Sequence, residues 1–183
     1  MIVTAIALID ARMYMSVTDR DEGPPFSGVI GHLARANEAV MIVLTVAMVS
    51  LVTYQVFERY VLHYTPPWSE ELSVYLMIWF GMLAIAAGVR RRIHISLHYF
   101  YDKMPKKLQA ALEILTYLMV LVYVSVLLWQ GIVLVLLTTS QKSAAMDLPI
   151  GYVYLSLPVS AALIIIFTLE QLYKLFFKKA GAE

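Results

Sequence analysis

The segment WSEELSVYLMIWFGMLAIAAGVRRRIHI, from Trp68 to Ile95, carries two acids at its start, three arginines near its end and no charge between Leu72 and Val89. In water a helix that is apolar on every side has nowhere to bury its surface. A bilayer accepts it, because a hydrocarbon core of about 30 Å takes roughly 20 apolar residues at 1.5 Å each. The pattern recurs along the chain: uncharged stretches run from Ala39 to Phe57, Leu72 to Val89, Ile114 to Gln141 and Leu148 to Leu169. They predict an all-α integral membrane protein of four tilted transmembrane helices, with spans near residues 39–57, 72–89, 114–137 and 148–169. Ile114 to Leu137 would reach about 36 Å, so the third helix is expected to tilt.

Composition agrees. With 61% hydrophobic and 15% charged residues, the chain is more apolar than a soluble domain, where about 25% of residues are charged. A net charge of +1 argues against nucleic-acid binding, which needs a concentrated basic face. The absence of cysteine excludes disulfides, thiolate metal sites and a cysteine nucleophile. Of the lysines and arginines outside the spans, twelve fall on one side and two, Arg59 and Lys142, on the other. Cytoplasmic loops retain such an excess, so both termini and the loop from Arg90 to Lys107 are expected inside. Tyr60, Tyr64, Trp68, Tyr152 and Tyr154 then gather at the outer face, where amphipathic rings settle.

Three regions result: residues 1–38 as a cytoplasmic N-terminal segment, 39–177 as the transmembrane domain, and 178–183 as a cytoplasmic tail. The opening MIVTAIALIDARMYM lacks the basic start and small-residue cleavage site of a signal peptide. Ile2, Ile6, Ile9 and Met13 share a helical face, which suits an interfacial amphipathic helix; a translation start at Met13 or Met15 is the other reading. Phe26, Val29, Ile30 and Leu33 suggest a second shallow turn before the first span.

Helix punctuation falls at the span boundaries. Pro67, Ser69, Glu70 and Glu71 form a start signal, with acids at the positive end of the helix dipole. Asp147 and Pro149 read as a similar start for the fourth helix. Pro158, inside that span, has no N–H for the carbonyl of Tyr154 and is expected to bend the helix.

The spans lack Asp, Glu, His, Lys and Arg, whereas pumps and transporters carry such groups for ion or proton handling. The chain is therefore expected not to move substrate by itself; the expectation that it is no enzyme and holds no cofactor or metal goes with the resemblance given below. Thr45, Thr116, Ser125 and Gln130 are expected to bond between helices. His63 belongs to the outer end and His94 and His98 to the inner, which rules out a haem held between facing imidazoles. Arg90, Arg91 and Arg92, with His94 beyond, anchor the helix at anionic lipid head groups or meet a cytoplasmic partner. Capping accounts for one of Glu70 and Glu71 and leaves the other for docking. Gly81, Ala84 and Gly88 share a face on which a neighbouring helix can approach closely, and Ser156 and Ser160 repeat the pattern.

These residues resemble the small membrane subunit, DctQ type, of tripartite ATP-independent periplasmic (TRAP) transporters. The resemblance runs from about Ala39 onward. It is carried by Arg59 and Tyr60, by Trp68, Glu70, Glu71 and Trp79, and by Gly88 followed by Arg90, Arg91, His94 and Ile95. Pro105, Gly131, Gln141, Ser143, Pro149, Tyr154 and Pro158 continue it. The resemblance implies a non-catalytic scaffold in the bacterial inner membrane, bound to a large (M-type) subunit that carries organic acid with sodium. It further implies a periplasmic (P-type) substrate-binding protein that docks from outside. Trp68, Glu70 and Glu71 would face that docking side; Arg90, Arg91, Arg92 and His94 would meet phospholipid or the large subunit; Trp79 would join Gly81, Ala84 and Gly88 in packing against it. The contrasting readings are a cytochrome-type membrane anchor of a redox enzyme and a self-sufficient small transporter.

Overall fold

Hydrocarbon offers no hydrogen bonds, so a spanning segment must satisfy its backbone within itself, and a helix does so. The computed structural model describes residues 27–64, 66–90 and 106–180. In them the chain forms α1 (Ser27–Phe57), a π-helical turn (Glu58–Leu62), α2 (Pro67–Arg90), α3 (Lys106–Thr138), the short α4 (Gly151–Tyr154) and α5 (Ser156–Ala180). Among the described residues, four stretches are long and apolar enough to cross a membrane: Gly28–Leu62, Pro67–Arg90, Ala111–Thr138 and Gly151–Leu175. The expected all-α membrane architecture is thus present. Val29, Ile30 and Leu33 lie in the same unbroken helix as the first span. The interfacial helix expected near the N-terminus lies outside the described residues, as do Arg91, Arg92, His94, His98 and Pro105.

The chain divides into two compact units, residues 1–80 and 81–183. In the first, α1 closes by widening into the π turn, and His63 reverses the chain with φ 51° while its N–H returns to the Glu58 carbonyl. The second helix then begins at Pro67, as the punctuation predicts, for proline has no N–H to leave unpaired in a first turn. The Ser69 hydroxyl donates to the carbonyl of Pro66 at 2.9 Å.

The second unit is built on a seam between α3 and α5. The buried residues of α3 there are Tyr117, Val124, Gly131 and Thr138, each seven after the last, the repeat by which helices cross at a shallow left-handed angle. On α5 the buried residues are Ser156, Ser160, Ala161, Ile164, Phe167 and Thr168. Contact is close at Gly131, where an added methyl would lie 3.2 Å from both Leu157 Cβ and Pro158 Cδ.

The fourth span is interrupted at Leu155, three residues before Pro158, and this interruption separates α4 from α5. Asp147 does not start the fourth helix. It sits at φ 58° in a tight reversal closed by Ser143 N–H to Leu148 O (2.8 Å) and Ile150 N–H to Gln141 O (2.9 Å). Helix begins only at Gly151, and Ile150 before it supplies no side-chain cap. Gln141, Ser143 and Pro149 thus hold a turn together, Pro149 by bridging to Lys142.

The hydroxyls expected between helices turn inward instead. Thr45 donates to Met41 O at 2.8 Å, Thr116 to Leu112 O at 2.9 Å and Ser125 to Leu121 O at 2.7 Å. A short hydroxyl reaches the carbonyl one turn back at no cost in helix separation.

Replacing Gly131 with Leu should force α3 and α5 apart and lower stability by about 1–3 kcal/mol. Gly81→Leu should leave it unchanged, since a methyl added at Gly81 meets nothing within 4 Å. Thermal unfolding of the two purified variants in detergent checks both.

Candidate functional site

Helix α2 carries nearly all the residues singled out above, and its geometry sorts them. At 100° per residue, the buried Leu83 and Ala86 and the half-buried Arg90 fall on one side. Gly81, Ala84 and Gly88, themselves half-buried, fall on the opposite side with the exposed Val74, Met77 and Ile85. Trp79 falls with Leu83 and Ala86, so the structure parts it from the three small residues.

At the start of α2 a polar cluster joins it to α1 within the first unit. The Gln55 side-chain amide donates to Ser69 O at 2.5 Å and to Ser73 Oγ at 2.7 Å. Ser69 is fully buried, which lets the two backbones approach. Trp68 lies against Tyr54, ring centroids 6.3 Å apart. Tyr54 is hydrogen-bonded to the buried Glu58, whose Oε2 has no partner among the described residues. The two neighbouring acids separate: Glu71 accepts from the Tyr75 hydroxyl, whereas Glu70 is exposed.

At the end of α2 a second cluster joins it to α5 within the second unit. The Arg90 carbonyl, one of the last-turn acceptors that a helix leaves unpaired, receives Gln171 Nε2 at 2.9 Å. The Arg90 guanidinium lies over the Phe167 ring at 5.9 Å. Glu170, with its side chain 5% exposed, is 3.9 Å from Arg90 Nε and 2.8 Å from Lys174 Nζ. Arg90 is therefore engaged by its own chain and is not simply a lipid-facing anchor. Sequence reasoning missed Glu170 and Gln171, which lie just past the fourth uncharged stretch. An acid at the end of one span and an arginine at the end of another, on the same side by topology, was the available signal. Among the described residues no three His, Asp or Glu converge as metal ligands would.

Among the described residues, polar side chains tie α2 to α1 at one end and to α5 at the other, in a chain whose long helices are apolar enough to cross a membrane. Residues 48–178 match the family of tripartite ATP-independent periplasmic transporters, DctQ component, and the chain belongs to that family. It is a transporter subunit, not an enzyme, and a multi-pass protein of the inner membrane.

Among curated relatives, the isethionate TRAP transporter permease protein DctMQ of Oleidesulfovibrio alaskensis is 29% identical over 154 residues, 79% of this chain and 24% of that protein. The sialic acid TRAP transporter small permease protein SiaQ of Vibrio cholerae is 25% identical over 144 residues, 76% of this chain and 80% of that one. A putative TRAP transporter small permease protein of Haemophilus influenzae is 27% identical over 160 residues, 84% and 94% of the two chains. The match thus spans about a quarter of the isethionate protein's length and most of the two small permeases.

Glu170→Ala should destabilise the isolated chain by about 2 kcal/mol, because Arg90 loses its counter-charge in a largely buried site. The Arg90→Ala/Glu170→Ala pair should cost less than the sum of the single changes, as a double-mutant cycle of denaturant unfolding would read.

Proposed function

We propose that this chain is the small, non-catalytic subunit of a sodium-coupled TRAP transporter for organic acids. It braces a larger membrane subunit that carries the substrate, and it offers part of the surface on which a periplasmic substrate-binding protein docks. The observation that carries this reading is the set Gly81, Ala84 and Gly88, half-buried and on the side of α2 opposite Leu83 and Ala86, where a methyl added at Gly81 meets nothing within 4 Å. In lipid, small residues at such spacing serve close helix contact. The relatives support the substrate class, for isethionate and sialic acid are both organic acids. They support the partner as well, since the isethionate permease protein carries this region within a much longer polypeptide.

The excess of lysine and arginine supports cytoplasmic termini, with residues 1–38 and 178–183 inside and four spans in residues 39–177. Trp68, Glu70 and Glu71 then belong to the periplasmic side, and Arg90, Arg91, Arg92 and His94 to the cytoplasmic side, beside phospholipid or the larger subunit. Of the two acids, Glu70 is the better docking residue, because Glu71 is held by Tyr75.

Reconstitution tests the reading directly. Liposomes holding both membrane subunits and supplied with the binding protein should take up an organic acid under a sodium gradient, and liposomes holding this chain alone should not. Flux through this chain alone would refute the scaffold role. Gly81→Leu and Gly88→Leu should each reduce copurification of the larger subunit. Glu70→Lys should slow binding-protein-dependent uptake roughly tenfold while leaving membrane insertion intact, and Glu71→Lys should do less.

A further inference from the structure

Tyr123 and Gln130 of α3 lie one above the other, seven residues apart and within 20° of each other around the helix. Both are exposed, and neither has a hydrogen-bond partner among the described residues. The middle of the spanning stretch Ala111–Thr138 falls between residues 124 and 125. Tyr123 is then about 2 Å and Gln130 about 8 Å from the centre, within a hydrocarbon half-thickness of about 15 Å. Bending toward water does not relieve them. Side chains on a helix lean toward its N-terminus, which for Gln130 is toward the bilayer centre. Nor can a carboxamide satisfy two N–H groups and a carbonyl on its own helix, as Thr116 and Ser125 satisfy their hydroxyls.

The surrounding residues complete a seam. Met119, Tyr123, Val126, Gln130, Val133 and Leu137 follow one another at alternating steps of four and three, the spacing of a coiled-coil contact line. All are exposed except the half-buried Val133. This line is centred about 130° around α3 from Val124 and Gly131, which belong to the seam with α5. Within such a line a single polar residue fixes register, because a misaligned partner leaves it unpaired.

We infer that this line on α3 is a second helix-packing seam, which receives a transmembrane helix of the larger subunit bearing hydrogen-bonding groups opposite Tyr123 and Gln130. The inference rests on the reading above that such a subunit is present. The isethionate relative favours that occupant over a second copy of this chain, for about three-quarters of its length lies beyond the region matched here, tethered to it one to one.

The test replaces Tyr123, Gln130 or Leu118, one at a time, with photoreactive benzoylphenylalanine in the full chain, expressed in its own cells with the larger subunit. Leu118 is exposed but lies on the other flank of α3. Irradiated complexes should yield adducts with the larger subunit, identified from its peptides, at positions 123 and 130 and several-fold fewer at 118. An adduct of twice the mass of this chain at 123 and 130 would overturn the inference in favour of a second copy. Equal yields at all three positions, with the larger subunit copurifying, would overturn it while leaving the scaffold reading intact. Failure of the larger subunit to copurify at all would remove both. Independently, Tyr123→Phe/Gln130→Leu should lower retention of the larger subunit about tenfold with no change in the melting temperature of the isolated chain; unchanged retention would refute the seam.

Discussion

A polar atom inside a bilayer must find its partner in protein, and that requirement explains most of what this chain does with its side chains. Backbone groups are absorbed by helices. Thr45, Thr116 and Ser125 bond the carbonyl one turn back. The longer amides of Gln55 and Gln171 do what those hydroxyls cannot, crossing to another helix at the start and the end of α2. Charge follows the same rule: the largely buried Glu170 is met by Arg90 and Lys174.

Helix α2 is consequently two-faced. Leu83 and Ala86 look toward what the chain itself buries, while Gly81, Ala84 and Gly88 look away. Membership of the DctQ component family gives that asymmetry a setting, since a transporter subunit without catalysis works through the surfaces that it presents. On the proposed reading α2 offers backbone closeness and α3 offers register, two distinct ways of gripping a neighbour in lipid.

Much of this was legible in the sequence because hydropathy is a long-window signal and proline a local one. The four apolar helices and the start of α2 at Pro67 follow from those two facts. Interactions that depend on where helices meet were not legible. Arg90 and Gln171 are 81 positions apart, and no periodicity links them. Asp147 misled because an acid followed by proline fits either a helix cap or a reversal, and the hydrogen bonds of Ser143 and Ile150 decide for the reversal. Gly81, Ala84 and Gly88 were visible as a set from spacing alone, whereas the separation of Trp79 from them required knowing which side of α2 is buried.

Pro158 began as a residue that a helix merely tolerates, yet its ring sits where Gly131 leaves room. The two positions therefore share one volume. A side chain at 131 could enter it only if the ring at 158 withdrew or the helices spread, so each residue sets the room left to the other.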